Sequence, residues 1–240
     1  MASASPIWVA GVALLGLAVS VAGCATTQDA NQRASIQADR TLASRKSLVV
    51  RGRDRDVQVV RTSVVKGKQG SAIVVVLRNR GDRPVNDLPI EVGPRGGQAV
   101  NTRANLPYFQ THAPAIAAGE EATWVYVSRR PLHASRAFAR VGAPAKPPVT
   151  TAGRVSALET EDSATPGGSS VVARITNDLG IPQYNLDVYA VARKRGRYVA
   201  AGRANLEHLG VSQTEQVTLP LIGDAKGAQI EVFAPQTLFE

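Results

Sequence analysis

Ala72-Ile-Val-Val-Val-Leu-Arg-Asn79 aligns with Ser170-Val-Val-Ala-Arg-Ile-Thr-Asn177 at a spacing of 98 residues. At the same spacing Val57 meets Val155, Pro84 meets Pro182, Leu88 meets Leu186 and Ile90 meets Val188. Further on, Arg103-Ala-Asn-Leu106 recurs as Arg203-Ala-Asn-Leu206 at a spacing of 100. A series of matches in one order constrains the fold more than any single motif, because it predicts one supersecondary unit built twice.

The texture of the repeated pieces gives the class. Short apolar runs rich in Val and Ile alternate with turn signals about every ten residues, the pattern of an all-β sandwich. Aromatic residues are 5% of the chain, with one Met and one Cys, so a core must come from Val, Leu, Ile and Ala. Strands are predicted at Ile73 to Leu77, Ala122 to Val127, Arg136 to Val141, Val171 to Ile175, Gln216 to Leu221 and Gln229 to Phe233. Leu186 to Val191 reads as an alternating strand, followed by a hairpin through Arg193-Lys-Arg-Gly196-Arg197. Asn79 and Asn177 begin turns, since Asn tolerates left-handed backbone and bonds its own turn. The stretch Ser163 to Ser170 reads as a loop. The fold class is thus all-β: two tandem immunoglobulin-like sandwiches at 56–142 and 153–240, joined by a Pro-rich linker at 143–152.

The first 23 residues have another character. Ile7 to Ala22 is almost wholly apolar, too short for a comfortable membrane span yet suited to the hydrophobic region of a signal peptide. Small residues follow, then Cys24, the one cysteine in the chain. Val21-Ala22-Gly23-Cys24 resembles the lipobox of bacterial lipoproteins. That resemblance implies cleavage between Gly23 and Cys24, and diacylation of the Cys24 thiol. Met1 to Pro6 contains no Lys or Arg, where lipoprotein signals usually have one. An uncleaved anchor, or an ordinary signal peptide with an incidental cysteine, is the competing reading.

Residues 24–55 lack a sustained apolar period and read as a basic tether, with Ser47 to Val50 open as an extra strand. The chain carries +9 overall. Residues 31–70 hold ten Lys or Arg against three Asp, so +7 of that falls in this one stretch. Such segments are drawn to anionic headgroups, although plain solubility accounts for any one of these charges. Nucleic acid is not expected as a partner of an exported chain, despite a pI near 10.2.

The second repeat, from about Arg154 to Glu240, resembles the FxLYD and CARDB group of bacterial immunoglobulin-like domains. The residues that carry this are Val171 to Asn177, Leu186-Asp-Val-Tyr-Ala-Val191, Gly196 and Val217-Thr-Leu219. Val188-Tyr-Ala-Val-Ala192 lacks the aromatic-Asp pair of the family signature. The resemblance implies extracellular binding or spacer modules without shared catalytic residues.

Motifs for chemistry are sparse. His112, His133 and His208 are not at metal-ligand spacing, and no nucleophile elbow, phosphate loop or dinucleotide fingerprint occurs. Glu159, Glu161 and Asp162 are weak candidates for Ca²⁺, against a solvated acidic loop. Arg193, Lys194, Arg195 and Arg197 are candidates for an anionic surface, against an edge hairpin kept soluble by charge. Trp124, Tyr126, Tyr108 and Phe109 form either a binding platform or, for the first two, core. No metal or cofactor is expected. The reading is a non-enzymatic envelope lipoprotein, held through Cys24 on the extracytoplasmic side and binding an envelope protein or polymer. The alternative is an enzyme, or its accessory subunit, acting on wall or glycan.

Overall fold

The computed structural model describes residues 50, 53–86, 88–97, 100, 112–113, 115–143, 155–165 and 168–237, with the side chains of 158–165 and 168 excepted. All regular structure among them is β-strand in antiparallel sheets. The first half contains β1 (Val57–Gly67), β2 (Gly70–Asn79), β3 (Leu88–Pro94), β4 (His112–Ala113), β5 (Glu121–Ser128) and β6 (Ala137–Val141). The second contains β7 (Val155–Thr165), β8 (Gly168–Asn177), β9 (Gln183–Lys194), β10 (Arg197–Leu209), β11 (Thr214–Gly223) and β12 (Gln229–Phe233).

In the first half the strands order as β1-β2-β5 and β4-β3-β6, two three-stranded sheets. Val57, Ile73, Leu77, Leu88, Ile90, Val92, Trp124 and Val141 bring both sheets into one cluster, the arrangement of a β-sandwich. In the second half the same order recurs. β7-β8-β11 form one group and β12-β9-β10 the other. A short pairing of Ala200–Gly202 with Leu221–Gly223 then merges the groups into one six-stranded sheet. That sheet curls, so its edge strands β7 and β12 meet. It encloses Val171, Ile175, Leu186, Val188, Leu209 and Leu219. The leading hairpins match residue for residue, since β1 and β7, and β2 and β8, begin and end 98 residues apart. Each first strand also carries a bulge, between Val59 and Arg61 and between Glu159 and Glu161.

The repeated asparagines explain part of this recurrence. Asn79 and Asn177 are fully buried and neither takes left-handed backbone. Their side chains act as cross-links. Asn79 Nδ2 donates to the carbonyls of Arg83 and Ile116, and its Oδ1 accepts the Gly81 N–H. Asn177 Nδ2 donates to the carbonyls of Ile181, Leu209 and Gly210, and its Oδ1 accepts the Leu179 N–H. An amide is the right group, because one side must donate while the other accepts.

Two expectations change. Ser163 to Ser170 is the end of a β-hairpin rather than a loop, with Ser163 opposite Ser170 and Thr165 opposite Gly168. Ladder hydrogen bonds with the neighbouring strand override the loop-like Ser and Gly content. The apparent alternation of Leu186 to Val191 conceals burial on both faces, since all six residues are buried. Leu186, Val188 and Ala190 enter the second-half core. Tyr189 and Val191 join the first-half cluster, together with Ala201 and Ile222.

The halves touch at backbone distance. A Cβ on Gly67 would lie 2.7 Å from the Gly223 nitrogen. One on Gly223, which has φ +101°, would lie 2.8 Å from Val65 Cγ1 of the first half and 2.2 Å from the Val199 carbonyl oxygen of its own half. Only glycine suits that pairing.

Candidate functional site

Two clusters of polar side chains stand out, one buried and one exposed. The buried cluster centres on Asp187 of β9. The turn at Arg195 and Gly196 has both residues at positive φ, 51° and 74°, as a two-residue type I′ hairpin requires. That turn pairs Lys194 with Arg197, and a bulge between Tyr198 and Ala200 then shifts the register by one residue, placing Asn205 opposite Asp187 and Arg203 opposite Tyr189. Asp187 Oδ1 accepts hydrogen bonds from Arg203 Nη2 at 2.7 Å, Arg203 Nε at 3.0 Å and Asn205 Nδ2 at 3.1 Å. Tyr189 donates its hydroxyl to Oδ2 at 3.1 Å. Trp124, from the first half, brings its indole beside that hydroxyl without reaching hydrogen-bond geometry.

Burial pushes the Asp187 carboxyl above its ordinary range, against the opposing pull of Arg203, Asn205 and Tyr189. Burial likewise pushes the Tyr189 phenol well above its ordinary value of 10.0, and the Asp187 charge adds to the shift. The carboxylate is committed to protein donors on two strands and Tyr189 is fully enclosed. This geometry suits joining β9 to β10 and the second half to the first. It leaves no open carboxylate for acid–base chemistry on a substrate.

A pH dependence follows from Tyr189. In the unfolded chain the phenol ionises near pH 10, while the folded protein holds its proton to higher pH. The contribution is fully present below pH 10 and is lost as pH rises beyond it, at about 1.4 kcal/mol per unit. Urea midpoints of the protein and of Tyr189→Phe, compared at pH 9 and pH 11, test this. The parent should lose more stability than the variant; parallel losses would remove Tyr189 as the cause.

The exposed cluster is the β9–β10 turn that the sequence singles out. Lys194, Arg195 and Arg197 are exposed, and the Lys194 Nζ donates to the Lys226 carbonyl at 3.2 Å. Arg193 differs from them. It is half-buried, donates to the Tyr198 hydroxyl at 3.1 Å, lies 5.0 Å over that ring and pairs with Glu231 at 3.4 Å. The structure thus separates Arg193, a packing residue, from three exposed cations.

The other candidates are scattered. His112 is buried on β4, while His133 and His208 are exposed, the last against Tyr184 at 5.0 Å between ring centroids. Among the described residues, no three of His, Cys, Asp and Glu gather as metal ligands. Glu159, Glu161 and Asp162 lie on β7, and their side chains are outside the described residues, as are Tyr108, Phe109 and Arg103 to Leu106. Gly23, Cys24, the apolar segment before them, the tether as far as Val49 and the linker beyond Ala143 also lie outside. Trp124 is completely buried, with Tyr126 stacked at 6.5 Å.

Sequence reasoning passed over the Asp187 network. Counting back from the Arg195-Gly196 turn pairs Asp187 with Ala204. Only the bulge between Tyr198 and Ala200 brings Asn205 and Arg203 opposite Asp187 and Tyr189, so the network is not readable from the turn alone. No family model and no curated protein sequence matches the chain.

Proposed function

We propose that this chain is a cell-envelope lipoprotein, anchored through Cys24 on the extracytoplasmic side of a membrane. Its folded part serves as a non-enzymatic binding or spacing module for an envelope protein or polymer. The observation that carries this is Val21-Ala22-Gly23-Cys24, in which the only thiol of the chain follows an apolar run and small residues. The all-β architecture supports the second half of the reading. Its two units repeat one strand order, as expected of two related modules at 56–142 and 153–240 resembling FxLYD and CARDB domains. The polar side chains of the buried cluster hold strands together, which fits a module that presents surfaces rather than a reaction centre.

Two acyl chains bury enough methylenes, at about 0.8 kcal/mol each, to retain a protein on a membrane stably. Cys24→Ser should therefore abolish incorporation of a fatty-acid label and release the protein from a lipid-dependent membrane fraction. Labelling of the variant at the parent level would disprove the anchor.

A further inference from the structure

We propose that the end of the molecule where the turns of both halves meet is a basic face that docks on the phosphate headgroups of an anionic membrane. The proposal rests on the lipoprotein reading, which puts a lipid surface within reach. It arises from a juxtaposition between sequence-distant turns. Lys66 and Lys68 flank and enter the β1–β2 turn, and both are exposed. That turn abuts the β11–β12 connection, because Gly67 and Gly223 touch through their backbones. Lys226 stands exposed in the same connection, and its carbonyl accepts the Lys194 ammonium. Lys194 and Arg197 close the β9–β10 hairpin around Arg195. Arg129 adds to the edge of the face, since a Cβ on Gly70 would lie 3.0 Å from its Cα. Asp224 is the exposed acid of these turns, and it is occupied by the Lys226 N–H at 2.9 Å.

The arrangement selects the partner. The cations stand at the tips of separate turns rather than around a cavity, so they match a sheet of charges better than one anion. A headgroup surface attracts each basic side chain close to it by about fivefold in partition. The face lies at the far end of β1 from residues 24–55. Fully extended, those residues reach about 100 Å, whereas an eleven-residue strand is about 37 Å long. An anchor on Cys24 is thus compatible with the face turned back to the lipid.

Sedimentation of the full chain with vesicles tests the proposal, using phosphatidylglycerol mixed with phosphatidylcholine against phosphatidylcholine alone. The readout is the ratio of the two partition coefficients, in which an acyl anchor or apolar segment cancels. One variant carries Lys66→Gln and Lys68→Gln. The other carries Lys194→Gln, Arg195→Gln, Arg197→Gln and Lys226→Gln. All six positions are exposed, so the fold is expected to survive, checked by the thermal transition. The parent should favour anionic vesicles with strong salt dependence. The first variant should lower the ratio by up to about 25-fold and the second by considerably more, both less at higher salt. A parent ratio near one would overturn the proposal. So would a ratio unchanged in either variant, since the remaining basic residues, or one turn alone, would then account for binding. Displacement of the protein from vesicles by soluble polyphosphate at equal phosphate concentration would assign the face to a polymer instead. Fatty-acid labelling of Cys24, measured separately, reports whether the anchor itself fails.

Discussion

Arg203→Met is expected to destabilise the protein by about 3–5 kcal/mol, the usual cost of removing one partner of a buried ion pair. For a chain of this size that lowers the melting temperature by on the order of 10 °C. The reason is the position of Asp187. Its side chain is 8% exposed and that of Arg203 is 14% exposed, so water cannot replace the two guanidinium hydrogen bonds. Burial already works against the Asp187 charge, and the loss of Arg203 leaves it opposed only by Asn205 and Tyr189. Arg203→Lys should fall between parent and Met, because an ammonium cannot present the two-pronged fork. Combining Arg203→Met with Asp187→Leu should restore much of the loss, since apolar replacement of a whole buried pair is often tolerated. Urea denaturation of the four proteins provides the test. A loss below about 1 kcal/mol for Arg203→Met would show that the pair behaves as a surface ion pair and does not hold β9 to β10.

The second large effect concerns the repeated asparagines. Asn177→Ala removes an amide whose two N–H groups are shared among three carbonyl oxygens and whose oxygen accepts one bond, all in a fully buried site. With about 1–3 kcal/mol for each buried group left unpaired, and partial relaxation, a loss of about 3 kcal/mol is expected. Asn177→Asp should be worse than Ala, because a carboxylate would face three carbonyl oxygens and cannot donate to them. Asn79 has the same connections in the first half, with two donated bonds and one accepted. Its variants should show the same ranking with a somewhat smaller loss. Thermal melts of the four single variants decide the matter. An Asp variant more stable than its Ala counterpart at either position would refute the cross-link role.

These predictions mark where sequence reading stops. Val171 to Ile175 and Ile73 to Leu77 were legible as strands because β-branched residues between turn signals have few other solutions. The hairpin through Arg193 to Arg197 was legible too. The double burial of β9 was not. Alternation tells one face from the other only when one face is wet, and Leu186 to Val191 faces protein on both sides. The hairpin through Ser163 to Ser170 was hidden for a different reason. Its pairing comes from ladder bonds to β8, whereas its composition suggests a loop.

What the residues alone determine is local and repetitive: the β class, the positions of the strands, the 98-residue recurrence and the lipobox-like segment around Cys24. Each depends on neighbours within a few residues, or on similarity between two stretches, and both are visible in one dimension. What the tertiary structure decided is which distant residues meet. It placed Tyr189 and Val191 in the core of the other half, enclosed Asp187 with Arg203 and withdrew Arg193 from the basic turn. It also set Lys66 and Lys68 near Lys226. Those outcomes depend on how two curved sheets pack face against face, with Gly67 against Gly223 allowing the close approach. That geometry is a property of the assembled backbone and of no segment by itself.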